Sequence, residues 1–233
     1  MTSRLASYVV RSITTGGSAW YKTMTPVQLH AELVFAESLF EKAILGIVYS
    51  GDWLAFIREA YVLSLLNRPK RVLNICVSFN LRTIINTYRS LYKYIEECDA
   101  AYTKGDWDPS IDDDFRSGVY LGMGGATLIL SLIPTRLLKV VELFGYKLGG
   151  REDALRILMK PGGWESGFVK PIGEGGVRRT ICDLALLIFH LVLSSFTFHG
   201  VDVPLAGRIL EFYAGTEEAP GRYAKGVYLL TAK

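Results

Sequence analysis

Two short patterns in the sequence contain residue types that could carry out chemistry. Ser90 and Lys93 have the Ser-x-x-Lys spacing of an acyl-transfer nucleophile and its base. Gly122-Met123-Gly124-Gly125 resembles the start of a dinucleotide-binding loop, but the third glycine would fall on Thr127 and no strand precedes it. We therefore expect ordinary helix-surface residues at the first pattern and close helix packing at the second.

The histidines and cysteines have no spacing typical of a metal site. The chain contains no His-Glu-x-x-His motif and no zinc knuckle. Its histidines and cysteines are widely separated along the chain: His30, His190, His199, Cys76, Cys98 and Cys182. His190 lies in an apolar segment and is predicted to be a buried core or interface histidine. The sequence thus predicts no catalytic residue, metal site or cofactor, and the scattered cysteines indicate a reducing compartment, cytosolic or nuclear.

An acidic run, Asp112-Asp113-Asp114, follows the polar loop 104–109. A calcium loop needs oxygen ligands at alternate positions, a glycine at the turn and a distal glutamate, and the spacing here does not match. Negative charge is favoured at a helix N-terminus. The run therefore predicts the start of a helix.

Composition limits the possible classes of protein. The chain has 233 residues, of which 50% are hydrophobic and 21% charged, so it is long and apolar enough to form a folded core. A net charge of +3 without a basic stripe argues against nucleic acid as a partner. No acidic residue precedes Glu32, and we expect residues 1–23 to be a basic, disordered N-terminus, with a mitochondrial transit peptide as the alternative.

Helical periodicity extends along most of the chain. Thr25-Pro26-Val27-Gln28 has the pattern of a capping box and predicts a helix that ends near Ser50, and Asp52 is predicted to cap the next. Further helices are predicted at 81–95, 136–144, 151–159, 181–198, 202–213 and from 223 onward, with a loop at 161–176. The fold class is therefore all-α, with about seven helices in antiparallel pairs forming an irregular bundle or an α-solenoid.

Two segments raise the question of membrane insertion. Residues 118–134 are uncharged, and 181–198 contain only Asp183 and His190 as ionisable groups. A spanning helix needs about 20 apolar residues, and an ionisable group at the bilayer centre is unfavourable. We predict buried core helices, with membrane spans as the alternative.

Three long stretches resemble the family of fungal inclusion body clearance proteins and animal tetratricopeptide repeat protein 39, whose fungal branch has also been described as mitochondrial outer membrane protein. They are AELVFAESLFEKAILGIVYSGDWLAFIREA (31–60), DFRSGVYLGMGGATLILSLIPTRLLKVVELFGYK (114–147) and GVRRTICDLALLIFHLVLSSFTFHGVDVPLAGRIL (176–210). The resemblance implies a tetratricopeptide-repeat-like (TPR-like) helical array and a non-enzymatic scaffold linked to lipid droplets and inclusion body clearance. It supplies no catalytic residues.

The expected partners are other proteins, bound through grooves between helices, and lipid-droplet proteins. Peripheral membrane contact is part of this expectation. The expected location is cytoplasmic and nuclear, and the resemblance adds association with the mitochondrial outer membrane or lipid droplets. The alternative function is a small membrane-embedded helical protein of the mitochondrial outer membrane.

The chain departs from the family pattern in three places. The turn Leu148-Gly149-Gly150-Arg151 is altered, and residues 61–78, YVLSLLNRPKRVLNICVS, have no counterpart in relatives. We interpret 61–78 as an in-frame retained intron, because codons for 60–62 and Ser78 can supply splice signals; a genuine loop insertion is the alternative. The third departure is at the C-terminus, where relatives continue into the repeat array. Residues 24–233 are therefore expected to form one helical-array domain that is truncated within its last helix.

Overall fold

The computed structural model describes residues 18–50, 72–102, 107–132, 150–171, 173–193 and 201–214. Within these ranges all regular structure is helical and no strand occurs, which confirms the all-α prediction. The α-helices are α1 (Ser18–Tyr21), α2 (Pro26–Ser50), α3 (Val72–Ala101), α4 (Asp113–Ser131), α5 (Arg151–Met159), α6 (Arg179–Ile188) and α7 (Val203–Tyr213). A π-helical turn, Phe189–Leu193, follows α6 directly.

Residue contacts divide the chain into two compact units, which we describe separately. The first comprises Met1–Ile111 with Ile133–Leu148 and contains α1 to α3. The second comprises Asp112–Leu132 with Gly149–Lys233 and contains α4 to α7. The sequence predicts a single array over residues 24–233, and the position of its boundaries stays a prediction.

In the first unit, α2 begins at the predicted capping box. The backbone N–H of Thr25 donates to Oε1 of Gln28 at 2.9 Å, and the Gln28 N–H donates to Oγ1 of Thr25 at 3.4 Å. The helix ends at Ser50, as predicted. It packs on α3, where Tyr88 is buried and meets Phe40 edge to face at a centroid distance of 6.2 Å.

The first unit also includes α1, which lies within the stretch expected to be disordered. Tyr21 is buried, with its ring centroid 6.4 Å from that of Tyr94 on α3. Ser18 Oγ and Lys22 Nζ contact the two carboxylate oxygens of Glu97 at 2.6 and 2.7 Å. The folded part therefore begins before residue 24, because these contacts fix residues 18–22. Residues 1–17 lie outside the described part.

Helix α3 begins inside the segment interpreted as a retained intron. Its first residue is Val72, so residues 72–78 are helical and continuous with the predicted helix around 81–95. Residues 61–71 and the predicted cap at Asp52 lie outside the described part. The intron interpretation stays a prediction.

In the second unit, α4 begins where the acidic run predicts. Asp112 is the N-cap, and its Oδ1 accepts a hydrogen bond from the Phe115 N–H at 2.8 Å. Asp113 and Asp114 occupy the first turn. The prediction of a helix start at this run is confirmed.

Close packing between α4 and α5 explains the glycine-rich pattern. A Cβ atom at Gly124 would lie 2.8 Å from Cγ of Leu158 and 3.1 Å from the carbonyl oxygen of Ala154. Leu158 and Ala154 are both fully buried in the core of this unit. Gly124 is therefore required for the close approach of α4 and α5, as the sequence predicts.

The segment 181–198 differs from the predicted single α-helix. It changes from α to π geometry at Phe189, and residues 194–200 lie outside the described part. His190 is buried in the π-helical turn, as predicted for a core histidine, and its Nδ1 accepts from the Asp202 N–H at 3.2 Å. The side chain of Asp202 caps α7, which ends at Tyr213, as predicted.

The two apolar segments contribute to the core of the second unit. Most of α4 is buried, and Leu186, Leu187 and Phe189 belong to the same core cluster. Among the described residues, no helix combines the length and apolar character required to cross a membrane. The predicted helices at 136–144 and from 223 onward fall outside the described part.

Candidate functional site

A buried carboxylate lies at the centre of the second unit. Asp183 on α6 has no exposed surface, and its Oδ1 accepts a 2.6 Å hydrogen bond from Nε1 of Trp164. Its Oδ2 accepts a 2.7 Å hydrogen bond from the Tyr213 hydroxyl and lies 3.6 Å from Nε of Arg179. Two separate segments thus contribute hydrogen-bond donors to one carboxylate, and Arg179 adds a nearby positive charge. These partners satisfy a group that would otherwise be costly to bury.

Each partner reaches Asp183 from a defined position in the fold. Arg179 and Asp183 are four residues apart and lie on one face of α6. Tyr213 is the last residue of α7, and Trp164 lies in the loop after α5. The network therefore ties the loop and α7 to α6.

Arg179 fixes the second half of that loop. It is buried, and its Nη1 donates to the carbonyl oxygens of Pro171 and Glu174 at 2.7 and 3.1 Å. Its guanidinium carbon lies 4.8 Å from the centre of the Phe212 ring, within the range of a cation–π interaction. One side chain thus connects the loop, α6 and α7.

Burial determines the protonation behaviour of this region. Removal from water raises the pKa of Asp183, and hydrogen bonds from Tyr213 and Trp164 and the charge of Arg179 oppose that rise. Burial and the nearby Asp183 also raise the pKa of Tyr213, which stays protonated and acts as a donor. Burial raises the pKa of Cys182, so its thiol is not activated as a nucleophile.

A cavity of about 280 Å³ lies beside the network. Its lining includes a carboxylate pair, a guanidinium group and two hydroxyl side chains: Asp114, Glu174, Arg179, Thr180 and Tyr213. The cavity can therefore offer both hydrogen-bond donors and acceptors to a ligand.

The glycine-rich loop closes tightly over the start of α4 beside this cavity. Gly176 adopts φ 85°, and a Cβ there would collide with the carbonyl of Asp113 and with Oγ of Ser117. The following N–H, that of Val177, donates to Oδ1 of Asp114 at 2.8 Å. The loop is thereby fixed to α4.

The chemistry-bearing patterns of the sequence do not converge on this site. Ser90 and Lys93 lie on α3 in the first unit, where Lys93 Nζ is 3.8 Å from a carboxylate oxygen of Glu97. His30 lies on α2 and Cys98 on α3, while Cys76 side-chain contacts and His199 are outside the described part. In the described ranges no three His, Cys, Asp or Glu side chains are grouped for metal binding. The absence of catalytic residues stays a prediction.

The sequence does not predict the Trp164–Asp183–Tyr213 network. The available signal was Asp183 itself, a charged residue in a strongly apolar segment that requires buried partners. Trp164 and Tyr213 are 19 and 30 residues away, in a loop and at the end of another helix. Only the tertiary arrangement identifies them as those partners.

Comparison with known proteins gives the family. The Iml2/Tetratricopeptide repeat protein 39 family matches this chain over residues 6–230. The chain belongs to the Iml2/Tetratricopeptide repeat protein 39 family. It is 27% identical over 179 residues to tetratricopeptide repeat protein ttc-39B of Caenorhabditis elegans, an alignment that covers 77% of this chain and 26% of that relative. The chain therefore spans about a quarter of the length of this curated relative.

Membership of the Iml2/Tetratricopeptide repeat protein 39 family confirms the resemblance at family level. It implies a TPR-like scaffold of a generally non-catalytic type, and TPR-like proteins typically bind other proteins. The helices packed in neighbouring pairs within each unit are consistent with a TPR-like array. No solved structure matches the chain.

Proposed function

We propose that this chain is a non-enzymatic, TPR-like scaffold in lipid-droplet-linked clearance of inclusion bodies. The observation that carries the proposal is the family match over residues 6–230, which includes nearly the whole chain. The all-helical fold supports it, because helix pairs expose grooves in which partner segments can bind. The proposed partners are proteins, including lipid-droplet proteins, and not nucleic acids.

The proposed location is cytoplasmic and nuclear, with peripheral association with lipid droplets or the mitochondrial outer membrane. We assign the chain to the fungal branch of the family as part of the same proposal. Sodium carbonate extraction of the tagged full chain tests the mode of association. Release into the supernatant supports peripheral contact, and a resistant pellet contradicts it in favour of the membrane-embedded alternative.

Clearance of inclusion bodies after heat stress tests the function directly. Cells that naturally express the chain are compared with cells from which its gene is deleted, and the half-time of clearance is measured by microscopy. We expect deletion to lengthen the half-time and the full chain to restore it. Unchanged clearance after deletion would overturn the proposal.

Proximity labelling from the full chain in the same cells tests the scaffold role. We expect enrichment of lipid-droplet and misfolded proteins over a diffusing label of equal abundance. The variant Gly124→Leu serves as a comparison, because it disrupts α4–α5 packing, whereas Glu165→Gln changes an exposed loop residue. Loss of labelling in the first variant but not in the second supports a folded binding surface; no enrichment by the unmodified chain contradicts it.

A further inference from the structure

We propose that the cavity in the second unit binds a basic side chain, lysine or arginine, carried by a peptide segment of a protein partner. This inference rests on the proposed scaffold function and names the chemistry of its partner. The cavity volume of about 280 Å³ is large enough for one long side chain together with part of its backbone. The charges and hydrogen-bonding groups of the lining indicate which kind of side chain fits.

The charges that remain available to a ligand are negative. Arg179 contributes the positive charge of the lining, but it is already compensated by Asp183 at 3.6 Å and by two loop carbonyls. Asp114 and Glu174 are exposed on the lining, and the carboxylate of Glu174 has no ion-pair partner among the described residues. A cationic group is therefore favoured over a neutral or anionic one.

Arg179 competes little with such a ligand. Its side chain is 3% exposed and its Nη2 atom is buried, so the guanidinium group is largely shielded from the cavity. A bound basic side chain would therefore meet mainly the exposed carboxylates of Asp114 and Glu174.

An anionic ligand fits the cavity less well, although the glycine-rich loop at the start of α6 is typical of phosphate sites. The N–H of Val177, which would face such an anion, already donates to the carboxylate of Asp114 at 2.8 Å. Asp114 thus occupies the position that an anion would take. One competing cation lies at the edge, since Nη1 of Arg178 donates to the carbonyl oxygen of Asp114 at 3.4 Å.

NMR titration of the ¹⁵N-labelled full chain with Nα-acetyl-L-arginine amide tests the proposal. We expect saturable shifts of the amide signals of Gly173, Gly176 and Thr180, weakening as salt is added. Nα-acetyl-L-norleucine amide and Nα-acetyl-L-glutamate amide are the controls for the apolar stem and the opposite charge. Shifts confined to the arginine probe support the proposal. No saturable shift, or equal shifts with either control, overturns it.

Three substitutions locate the site without removing a buried group. Glu174→Gln should weaken binding of the arginine probe by about 1.5- to 5-fold, as for a solvent-exposed ion pair, and Arg178→Gln should strengthen it by removing a competing cation. Glu165→Gln, an exposed acid of the same loop that does not line the cavity, should leave it unchanged. Equal effects of Glu174→Gln and Glu165→Gln would overturn the assignment.

Failure of this inference can be separated from failure of the proposed function. If proximity labelling enriches partners and the arginine probe does not bind, the cavity assignment is wrong and the scaffold function stands. If the probe binds at the cavity and no partner is enriched in cells, the scaffold function is wrong and the recognition of a basic side chain stands.

Discussion

The indole Nε1 of Trp164 donates a 2.6 Å hydrogen bond to Oδ1 of Asp183, and both residues are buried in the second unit. This contact joins a loop that is rich in glycine to a helix that is strongly apolar. If one partner is replaced, the other stays buried without its hydrogen bond, and this costs more than an intact hydrogen bond contributes. That cost can be measured.

Trp164→Phe removes the donor and keeps an aromatic ring in the core. We expect the second unit to lose about 1–3 kcal/mol of stability, because Asp183 is left with one fewer donor in a buried setting. Hydrogen exchange of the α6 amides, followed by mass spectrometry, measures the loss locally. Trp107→Phe, which changes a partly exposed residue of the first unit, is the control. Equal acceleration of α6 exchange in both variants would contradict the role of this hydrogen bond.

Gly124→Ala tests the approach of α4 and α5. Alanine favours a helix by about 1 kcal/mol relative to glycine, yet we expect net destabilisation because the new methyl group would lie 2.8 Å from Cγ of Leu158. A double-mutant cycle with Leu158→Ala separates the two effects. Gly124→Ala should be less harmful, or stabilising, once Leu158 is shortened. Additive effects of the two substitutions would show that the contact is not limiting.

The buried His190 predicts a loss of stability toward acid. Burial lowers the pKa of His190 in the folded chain below its usual value of 6.5, against a smaller opposing effect of Asp202. The unfolded chain therefore binds a proton more readily, and stability falls as the pH decreases from about 6.5 through the lowered pKa. The protonated ring would also lose the Nδ1 acceptor for the Asp202 N–H.

His190→Asn should reduce this acid sensitivity, because asparagine stays neutral and can still accept a hydrogen bond. Stability is compared at pH 5 and pH 7.5 by urea unfolding, and the difference between parent and variant isolates His190. Asp183 acts in the opposite direction, since its raised pKa lowers stability as the pH rises. His30→Gln is the matched control, and a variant difference that is the same at both pH values would contradict the prediction.

Asp112→Ala tests whether the acidic run is a helix cap. Loss of the hydrogen bond to the Phe115 N–H should cost about 0.5–2 kcal/mol of stability in the second unit. Glu165→Ala, in an exposed loop, should cost less than half of that. Thermal unfolding with and without millimolar CaCl₂ completes the test. A calcium-dependent rise of the melting temperature in the parent, lost in Asp112→Ala, would contradict the capping interpretation.

The sequence by itself predicts the elements whose causes are local. The capping box at Thr25 and Gln28, the N-cap at Asp112 and the termination of α7 at Tyr213 depend on hydrogen bonds between residues three or four apart, or on nearby helix periodicity. The glycine pattern around Gly124 also predicts close packing, because a missing side chain has few other uses in an apolar helix. Such local patterns can be recognised in the sequence because the interacting residues are neighbours in the chain.

Tertiary structure alone decides which distant residues meet. In the sequence, Asp183 is recognisable only as a charged residue in an apolar segment. Its partners Trp164 and Tyr213 lie in a loop and at the end of another helix, and the fold places them next to it. Three further features likewise depend on how α4, α6, α7 and their loop pack. They are the change to π geometry at Phe189, the pairing of the Arg179 charge with Asp183, and the cavity beside Arg179. Hydrogen-bond partners and cavities are properties of that packing, since one helical pattern is compatible with many arrangements of neighbouring helices.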